Sequence, residues 1–354
     1  MRLKKVLKEI LGWFFAIAIS FIAIIVLIDV SYYFLKPSIY KNDRELGWEL
    51  RPNLKRTFTQ HNLNGKEYTV DFRTNQDGVR TFGKNIHASN RILVLGDSFT
   101  GEPTASNDKM WYAEMVRKVA EESQTSIDDY YVWAAGAGGY GTYQNLLLSK
   151  RLLSKIKPTL LILQFCTNDF ANNHYEWESL GIVRNQSMRR PYANPSDLSQ
   201  PLYDQSFLGH AFRSLLGESK VFNTVDSIVQ KYEFKTYGGY SRPMHNSTLM
   251  RLEQESIVLT SQILTHLRLQ FQDVPAVMIN CDGSQAGING IWTEIAAKAG
   301  FIPLRAPSDF LQSAKNLKKN DIFNHDGTHL SEEGNLLFGE ILAESLLNNR
   351  IIPK

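Results

Sequence analysis

The chain has 354 residues, enough for one large domain or two ordinary ones, and its 43% hydrophobic and 21% charged residues are typical of a globular protein. A formal net charge of +3, with no long basic run beyond the first few residues, argues against nucleic-acid binding. The two cysteines, Cys166 and Cys281, are too few for a disulfide framework and lack the CxxC spacing of a zinc cluster.

The N-terminal segment differs from the rest of the chain in being continuously apolar. Its uncharged run from Ile10 to Ile28 is just long enough to span a bilayer core, and residues up to Leu35 can lengthen the span. Basic residues precede the run: Arg2, Lys4, Lys5 and Lys8. The positive-inside rule therefore predicts a cytoplasmic N-terminus, a single membrane anchor within residues 1–36 and an extracytoplasmic remainder. The absence of an A-x-A-like cleavage site favours an anchor over the alternative, a cleaved signal peptide.

Residues 37–90 predict a small β-rich lead-in that packs against the main domain. Short β-like runs occur at Lys55–Phe58 and Glu67–Phe72, and Asp77-Gly78 is typical of a tight turn. No cluster of ionisable residues in this segment indicates a separate activity.

From residue 91 to about 350 the sequence alternates between strand-like and helix-like segments, which predicts βαβ units around a parallel sheet. The predicted strands are Ile92–Leu95, Tyr130–Ala134, Leu160–Phe165 and Ala276–Asn280. The predicted helices are Lys109–Glu121, Tyr143–Ile156, Leu249–Leu269, Asn289–Lys298, Ser308–Lys315 and Ser331–Leu347. An irregular insertion at about 172–246, rich in aromatic residues and arginine, is expected either to shape a substrate site or to form a structural lid. Because Cys166 and Cys281 each follow a predicted strand, one disulfide bond and two buried thiols both remain open.

The first chemical motif is Gly96-Asp97-Ser98, which directly follows a buried strand. In open α/β sheets, functional residues lie just beyond the carboxyl ends of the strands. Ser98 is therefore a candidate nucleophile, although a serine in such a turn can also simply cap the next helix.

Two further motifs follow the next strands. The glycines Gly136, Gly138 and Gly141 fit G-x-G-x-x-G, but no acidic residue follows about 20 positions later to hold a ribose, so we do not expect a nucleotide. A glycine turn at this place can instead present a backbone N–H to an oxyanion. Asn168 offers a neutral side-chain donor for the same purpose, or it stabilises a turn together with Asp169.

The last motif lies immediately before the final predicted helix. Asp326 and His329 are three positions apart in a loop, so that the carboxylate can orient the imidazole and stabilise its cation. His325 and His329 also form an HxxxH pair, but Gly327 interrupts any helix and the HExxH glutamate is missing, so we expect no metal.

Taken in order, Gly96-Asp97-Ser98, Gly139, Asn168-Asp169 and Asp326-x-x-His329 resemble the motifs of the GDSL/SGNH hydrolases, over about residues 91–347. The lead-in also resembles the segment before this domain in some membrane-anchored bacterial members. The resemblance implies a flavodoxin-like, three-layer α/β fold and a catalytic triad of Ser98, Asp326 and His329. It also implies an oxyanion hole formed by the N–H groups of Ser98 and Gly139 and the side chain of Asn168. Two positions depart from the family pattern: Cys166 replaces a usual glycine, and Ala134 replaces a frequent asparagine.

The function expected from this resemblance is a serine esterase that removes O-acyl groups, acetyl above all, from an extracytoplasmic glycan or related ester. An O-acyltransferase with the same triad and an anchored, non-catalytic glycan-binding protein remain as alternatives. The polar insertion argues mildly against a lipase or thioesterase, which would need an apolar acyl channel. We expect no cofactor, contact with the membrane through residues 10–35, and a location in the bacterial inner membrane facing the periplasm.

Overall fold

The computed structural model describes residues 2–35, 38–180, 190–203, 245–281 and 290–352, together with residues 221, 224, 225 and 228. Its strands are β1 Tyr40–Asp43, β2 Gly47–Leu50, β3 Lys55–His61, β4 Glu67–Arg73, β5 Arg80–Phe82, β6 Asn90–Gly96, β7 Tyr130–Gly136, β8 Leu160–Phe165, β9 Ala276–Asn280 and β10 Ile302–Leu304. Its α-helices are α1 Arg2–Leu35, α2 Ser98–Gly101, α3 Trp111–Glu122, α4 Thr142–Leu153, α5 Asp169–Asn173, α6 Tyr175–Leu180, α7 Asn246–Gln270, α8 Trp292–Lys298, α9 Ala306–Asn316 and α10 Glu332–Asn348.

The central sheet has six strands in the order β10-β9-β8-β6-β7-β5. The strands from β6 to β10 run parallel, and their order is the flavodoxin-like one predicted from the sequence. The predicted parallel sheet is extended at one edge by an antiparallel strand, because β5 pairs antiparallel with β7, with Arg80 opposite Ala134. This strand of three residues comes from the predicted lead-in and is too short to show a periodic pattern.

Both faces of the sheet are covered by helices, which gives the predicted three layers. On one face, Val116 of α3 and Leu342 of α10 pack in one apolar cluster with Val94 of β6. On the other face, Leu147 of α4 and Ile263 of α7 pack in a second cluster. Every residue of β8 is buried, so this strand has no solvent-exposed face and its sequence is apolar almost throughout.

The lead-in forms two antiparallel hairpins, β1–β2 and β3–β4, and then supplies the edge strand β5. Leu50, Val70 and Phe72 make a small core of their own. The turn predicted at Asp77-Gly78 is present: Gly78 has φ +72°, and a Cβ there would lie 2.4 Å from the carbonyl oxygen of Leu50. The β1–β2 hairpin is joined to α4 by Arg151, whose guanidinium pairs with the carboxylates of Asp43, Glu45 and Glu49.

Helix α1 contains an apolar stretch, Lys8–Ser31, with a mean hydropathy of 2.8 and none of its residues buried. By length and composition it can cross a membrane, and a signal sequence would meet the same criteria. The anchor and its orientation therefore stay predictions.

The remaining predictions concern the insertion and the cysteines. The described part of the insertion at about 172–246 includes α6 and residues 190–203. Five of the aromatic and arginine residues that characterise the insertion lie outside the described residues: Arg184, Arg189, Tyr237, Tyr240 and Arg242. Cys166 and Cys281 follow the neighbouring strands β8 and β9, and both are buried. No disulfide bond joins these two described residues, so the structure has the buried thiols.

Candidate active site

The polar motifs predicted from the sequence meet at the carboxyl edge of the sheet, where β6, β7 and β8 end side by side. The chain packs closely here. A Cβ on Gly96 would lie 2.2 Å from the side-chain oxygen of Gln164, and a Cβ on Gly136 would lie 2.5 Å from the carbonyl oxygen of Gly96. Close packing of β7 against β6 therefore requires a glycine at position 136. This glycine is not evidence for a nucleotide-binding loop.

Ser98 is the first residue of α2 and is partly exposed, while its neighbour Asp97 is buried. The Asp97 carboxylate caps α2 by accepting a hydrogen bond from the backbone N–H of Phe99 at 3.0 Å. The backbone N–H of Asp97 donates to the side-chain oxygen of Gln164 at 2.9 Å. These bonds fix the turn that presents Ser98.

His329 lies between Ser98 and Asp326. Its Nε2 is 2.7 Å from the Ser98 hydroxyl oxygen, and its Nδ1 is 2.5 Å from a carboxylate oxygen of Asp326. A carboxylate can only accept, so Nδ1 carries a proton and Nε2 is left to accept the proton of Ser98. The other Asp326 oxygen accepts the backbone N–H groups of Thr328 and His329, which fixes the loop. The Phe99 ring packs against the imidazole with a centroid distance of 5.0 Å.

The charges around His329 favour its protonated form. Burial alone would lower the pKa of His329, but the hydrogen bond and charge of Asp326, together with the charges of Asp97 and Glu102, outweigh burial and raise that pKa. Burial would likewise raise the pKa of Asp326, but the hydrogen bond and charge of His329 hold it well below its usual range. The pair is thus arranged to stabilise an imidazolium–carboxylate state.

The three predicted oxyanion donors lie after the same three strands. Gly139 has φ +72° and occupies the third position of a turn closed by a 3.0 Å hydrogen bond from Tyr140 N–H to the Ala137 carbonyl. Asn168 is exposed, and its side chain does not cap α5. Neither the backbone N–H groups of Ser98 and Gly139 nor the Asn168 amide donates to any residue within the described parts of the chain. All three are available to a ligand.

Other sequence candidates take no part in this arrangement. His325 lies close to Asn324, with its Nδ1 2.5 Å from the Asn324 side-chain oxygen. Over the described ranges, no group of three or more His, Cys, Asp or Glu side chains could hold a metal ion. Cys166 stands where the GDSL/SGNH pattern usually has a glycine, and its thiol lies 3.4 Å from the side-chain nitrogen of Gln164.

Sequence reasoning missed several residues that support these loops. Gln164 accepts from both Asp97 and the Thr100 hydroxyl, and its only sequence indication is a polar residue within an apolar strand. The glycine turn, residues 137–140, is contacted by Tyr40, Trp48 and Glu102. Nothing in the local sequence of these three residues indicates the contacts.

Comparison with known proteins gives no family model and no curated protein that matches the chain. Solved structures that resemble it include an esterase from Pseudoalteromonas sp., 11% identical with a TM-score of 0.41, covering 74% of this chain and 100% of that one. An acetyl xylan esterase is 14% identical with a TM-score of 0.40, covering 73% and 100%. A lipase/acylhydrolase from Enterococcus faecalis is 13% identical with a TM-score of 0.40, covering 75% and 98%. Because these TM-scores are below 0.5, we infer nothing about this chain from the likenesses.

Proposed function

We propose that the chain is a serine esterase of the GDSL/SGNH type, with Ser98 as nucleophile, His329 as general base and Asp326 as the acid that orients it. The observation that carries the proposal is the continuous hydrogen-bonded series Ser98–His329–Asp326, formed by residues from opposite ends of the domain. A nucleophile and a base within hydrogen-bond reach, with the base oriented by a third group, are the defining geometry of such a site.

In the first half-reaction, Nε2 of His329 takes the proton of the Ser98 hydroxyl as the serine oxygen attacks the ester carbonyl carbon. The tetrahedral oxyanion is stabilised by the N–H groups of Ser98 and Gly139 and by the Asn168 side chain. The intermediate collapses by breaking the bond to the leaving alkoxy group, which receives the proton from His329. The product is an acyl-serine and a free alcohol.

In the second half-reaction, His329 removes a proton from water, whose oxygen attacks the acyl-serine carbonyl. The bond to the Ser98 oxygen then breaks, the proton returns to that oxygen, and the carboxylic acid leaves. An acceptor hydroxyl that replaces water would give acyl transfer with the same atoms and the same triad.

The proposed substrate is an O-acylated, in particular O-acetylated, glycan outside the cytoplasm. The charge asymmetry around the apolar segment supports the compartment. Aromatic side chains in the described part of the insertion support a carbohydrate ligand: Tyr175 is 38% exposed and packs edge-on against Tyr192 with a centroid distance of 5.2 Å.

The full-length chain in detergent tests the proposal through p-nitrophenyl acetate turnover, with and without an O-acetylated polysaccharide as competing substrate. Ser98→Ala is expected to abolish turnover, whereas Ser313→Ala, at an exposed position on α9, is expected to retain it. Mass spectrometry is expected to show an acetyl group on Ser98 in the wild type. Acetate release in water identifies an esterase, and acetylation of an added glycan identifies a transferase. Turnover that survives Ser98→Ala, or that is absent from the wild type, would contradict the proposal.

A further inference from the structure

The turn that carries Gly139 is held from both sides by the lead-in. The backbone N–H of Gly138 donates to the hydroxyl oxygen of Tyr40 at 2.9 Å. The carbonyl of Gly138 accepts from the indole nitrogen of Trp48 at 3.0 Å. Tyr40 lies in β1 and Trp48 in β2, so one hairpin satisfies both backbone groups of the residue before Gly139.

The Tyr40 hydroxyl also connects this turn to the nucleophile. It donates its proton to a carboxylate oxygen of Glu102, so its lone pair is left for the Gly138 N–H. Glu102 directly follows α2, and its backbone N–H donates to the Ser98 carbonyl at 2.9 Å. The Glu102 carbonyl is in turn held by the guanidinium of Arg80 at 2.6 Å. Burial and the neighbouring Glu102 raise the pKa of Tyr40 well above its usual value, so the hydroxyl keeps its proton at neutral pH.

The absence of a side chain at Gly138 leaves room for the side chains of Tyr40 and Glu102. A Cβ at this position would lie 2.3 Å from the Glu102 carboxylate oxygen and 2.8 Å from the Tyr40 hydroxyl oxygen. Any larger residue would displace the pair or the turn. The side chains of Tyr40 and Glu102 therefore pack tightly against Gly138 and connect α2 to the glycine turn.

We propose that Tyr40 is a positioning residue of the active site, which fixes the distance between the nucleophile helix and the oxyanion turn by binding Glu102 and the Gly138 N–H at once. This inference rests on the proposed function, since it assigns Tyr40 to the same oxyanion hole. Donors aimed at a developing oxyanion act mainly in the transition state, and a misplacement of about 1 Å can cost roughly 100-fold in rate. Loss of the Tyr40 hydroxyl should therefore lower kcat more than it changes KM.

The first test compares kinetics of full-length Tyr40→Phe, Gly138→Ala and Tyr143→Phe with the wild type. Tyr143→Phe is the matched control, because it removes a buried tyrosine hydroxyl that donates to the Leu198 carbonyl at 2.8 Å and not to Glu102. We expect kcat for p-nitrophenyl acetate to fall about 10- to 100-fold in Tyr40→Phe and Gly138→Ala, with KM within about twofold. The control should keep a kcat within about twofold of the wild type.

The second test measures amide hydrogen exchange of the peptide that contains residues 137–140, which does not depend on activity. Tyr40→Phe is expected to speed exchange there, and Tyr143→Phe is expected to leave it unchanged. If Ser98→Ala abolishes turnover but Tyr40→Phe keeps wild-type kcat, the inference is wrong and the esterase proposal stands. If turnover does not depend on Ser98, both are wrong.

Discussion

The backbone N–H of His325 donates a hydrogen bond to the backbone carbonyl of His61 at 2.9 Å, and so joins the tip of the β3–β4 hairpin to the loop that carries Asp326 and His329. A second bond runs from Leu63 N–H to the Phe323 carbonyl at 2.8 Å, and Asn62 forms an antiparallel bridge with Asn324. The lead-in thus contacts the loop of the proposed general base as well as the glycine turn.

The first prediction concerns Asn62 at the tip of this hairpin. Its buried side chain accepts the Lys66 N–H at 2.8 Å and donates to Asp321 at 3.2 Å. Asn62→Ala should lower the free energy of unfolding by about 1–3 kcal/mol, because it removes two partly buried hydrogen bonds, each worth roughly 0.5–1.5 kcal/mol. Activity should fall as well, since the loop before His329 is less well held.

Urea unfolding and kcat measure these two effects. Asn64→Ala is the control, because Asn64 is exposed and binds the same carboxylate of Asp321. It should change stability by less than about 0.5 kcal/mol, as is usual for surface substitutions. An effect of Asn62→Ala as small as that of Asn64→Ala would mean that the Asn62 side chain does not stabilise the loop that carries His329.

The second prediction is the pH dependence of turnover. His329 must be neutral to accept the Ser98 proton, and its pKa is raised above the ordinary value of about 6.5. In the wild type, kcat/KM should therefore rise with pH and level off only above that value. Asp326→Asn removes the hydrogen-bonded charge, so the His329 pKa falls and the acid limb should move to lower pH, while kcat decreases. If the acidic side of the pH profile of kcat/KM is unchanged in Asp326→Asn, Asp326 does not set the pKa of His329.

The third prediction concerns the fully buried guanidinium of Arg80. It donates to the carbonyls of Glu102 and Ala105, each at 2.6 Å, and to the Asn107 side chain at 3.1 Å, and it lies over the Phe72 ring. Lysine cannot reproduce this fork of donors, so Arg80→Lys should cost about 2–4 kcal/mol in urea unfolding. Arg73→Lys, at an exposed position of β4, should be nearly neutral. A similar stability for both variants would contradict this role of Arg80.

The sequence was most informative where one local rule decides the structure. The bounds of β8 and β9 agree with prediction, because a buried parallel strand is a short apolar run between turns. Strand β10 was missed because it has three residues with Pro303 in the middle, a composition tolerated at the edge of a sheet. Helix α3 begins at Trp111 rather than Lys109, because Asn107–Lys109 form a separate 3₁₀ turn.

At the site, the strand-end rule predicted only that Ser98 and the motifs after the next strands share one edge of the sheet. The triad was implied by the resemblance to the GDSL/SGNH hydrolases, and the structure has Ser98, His329 and Asp326 within hydrogen-bond distance. The supporting contacts were not predictable in this way. Tyr40 reaches Gly138 across 98 positions of sequence, and its partner Glu102 comes from a third segment. Such pairings depend on how the lead-in packs, which no local pattern encodes.

The fourth prediction concerns Asp169, which is buried beside the proposed oxyanion donor Asn168. Burial and the charge of Asp97 raise the pKa of Asp169 well above its usual range. One of its oxygens accepts the Thr142 hydroxyl at 2.7 Å, and the other has no hydrogen-bond partner among the described residues. A neutral carboxylic acid therefore suits this site better than a carboxylate.

The neutral form of Asp169 makes the stability of the folded chain depend on pH. Above the unfolded-state pKa of about 3.9, the folded chain keeps the proton of Asp169 and the unfolded chain has lost it, so stability falls as pH rises toward the folded-state pKa. Asp169→Asn replaces a neutral acid by a neutral amide of similar shape and removes this dependence. We therefore expect the Tm of Asp169→Asn relative to the wild type to increase as the pH rises above about 4 toward the folded-state pKa of Asp169, with Asp309→Asn, at an exposed position of α9, as the control. Parallel curves for Asp169→Asn and the wild type would show that Asp169 is ionised in the folded protein.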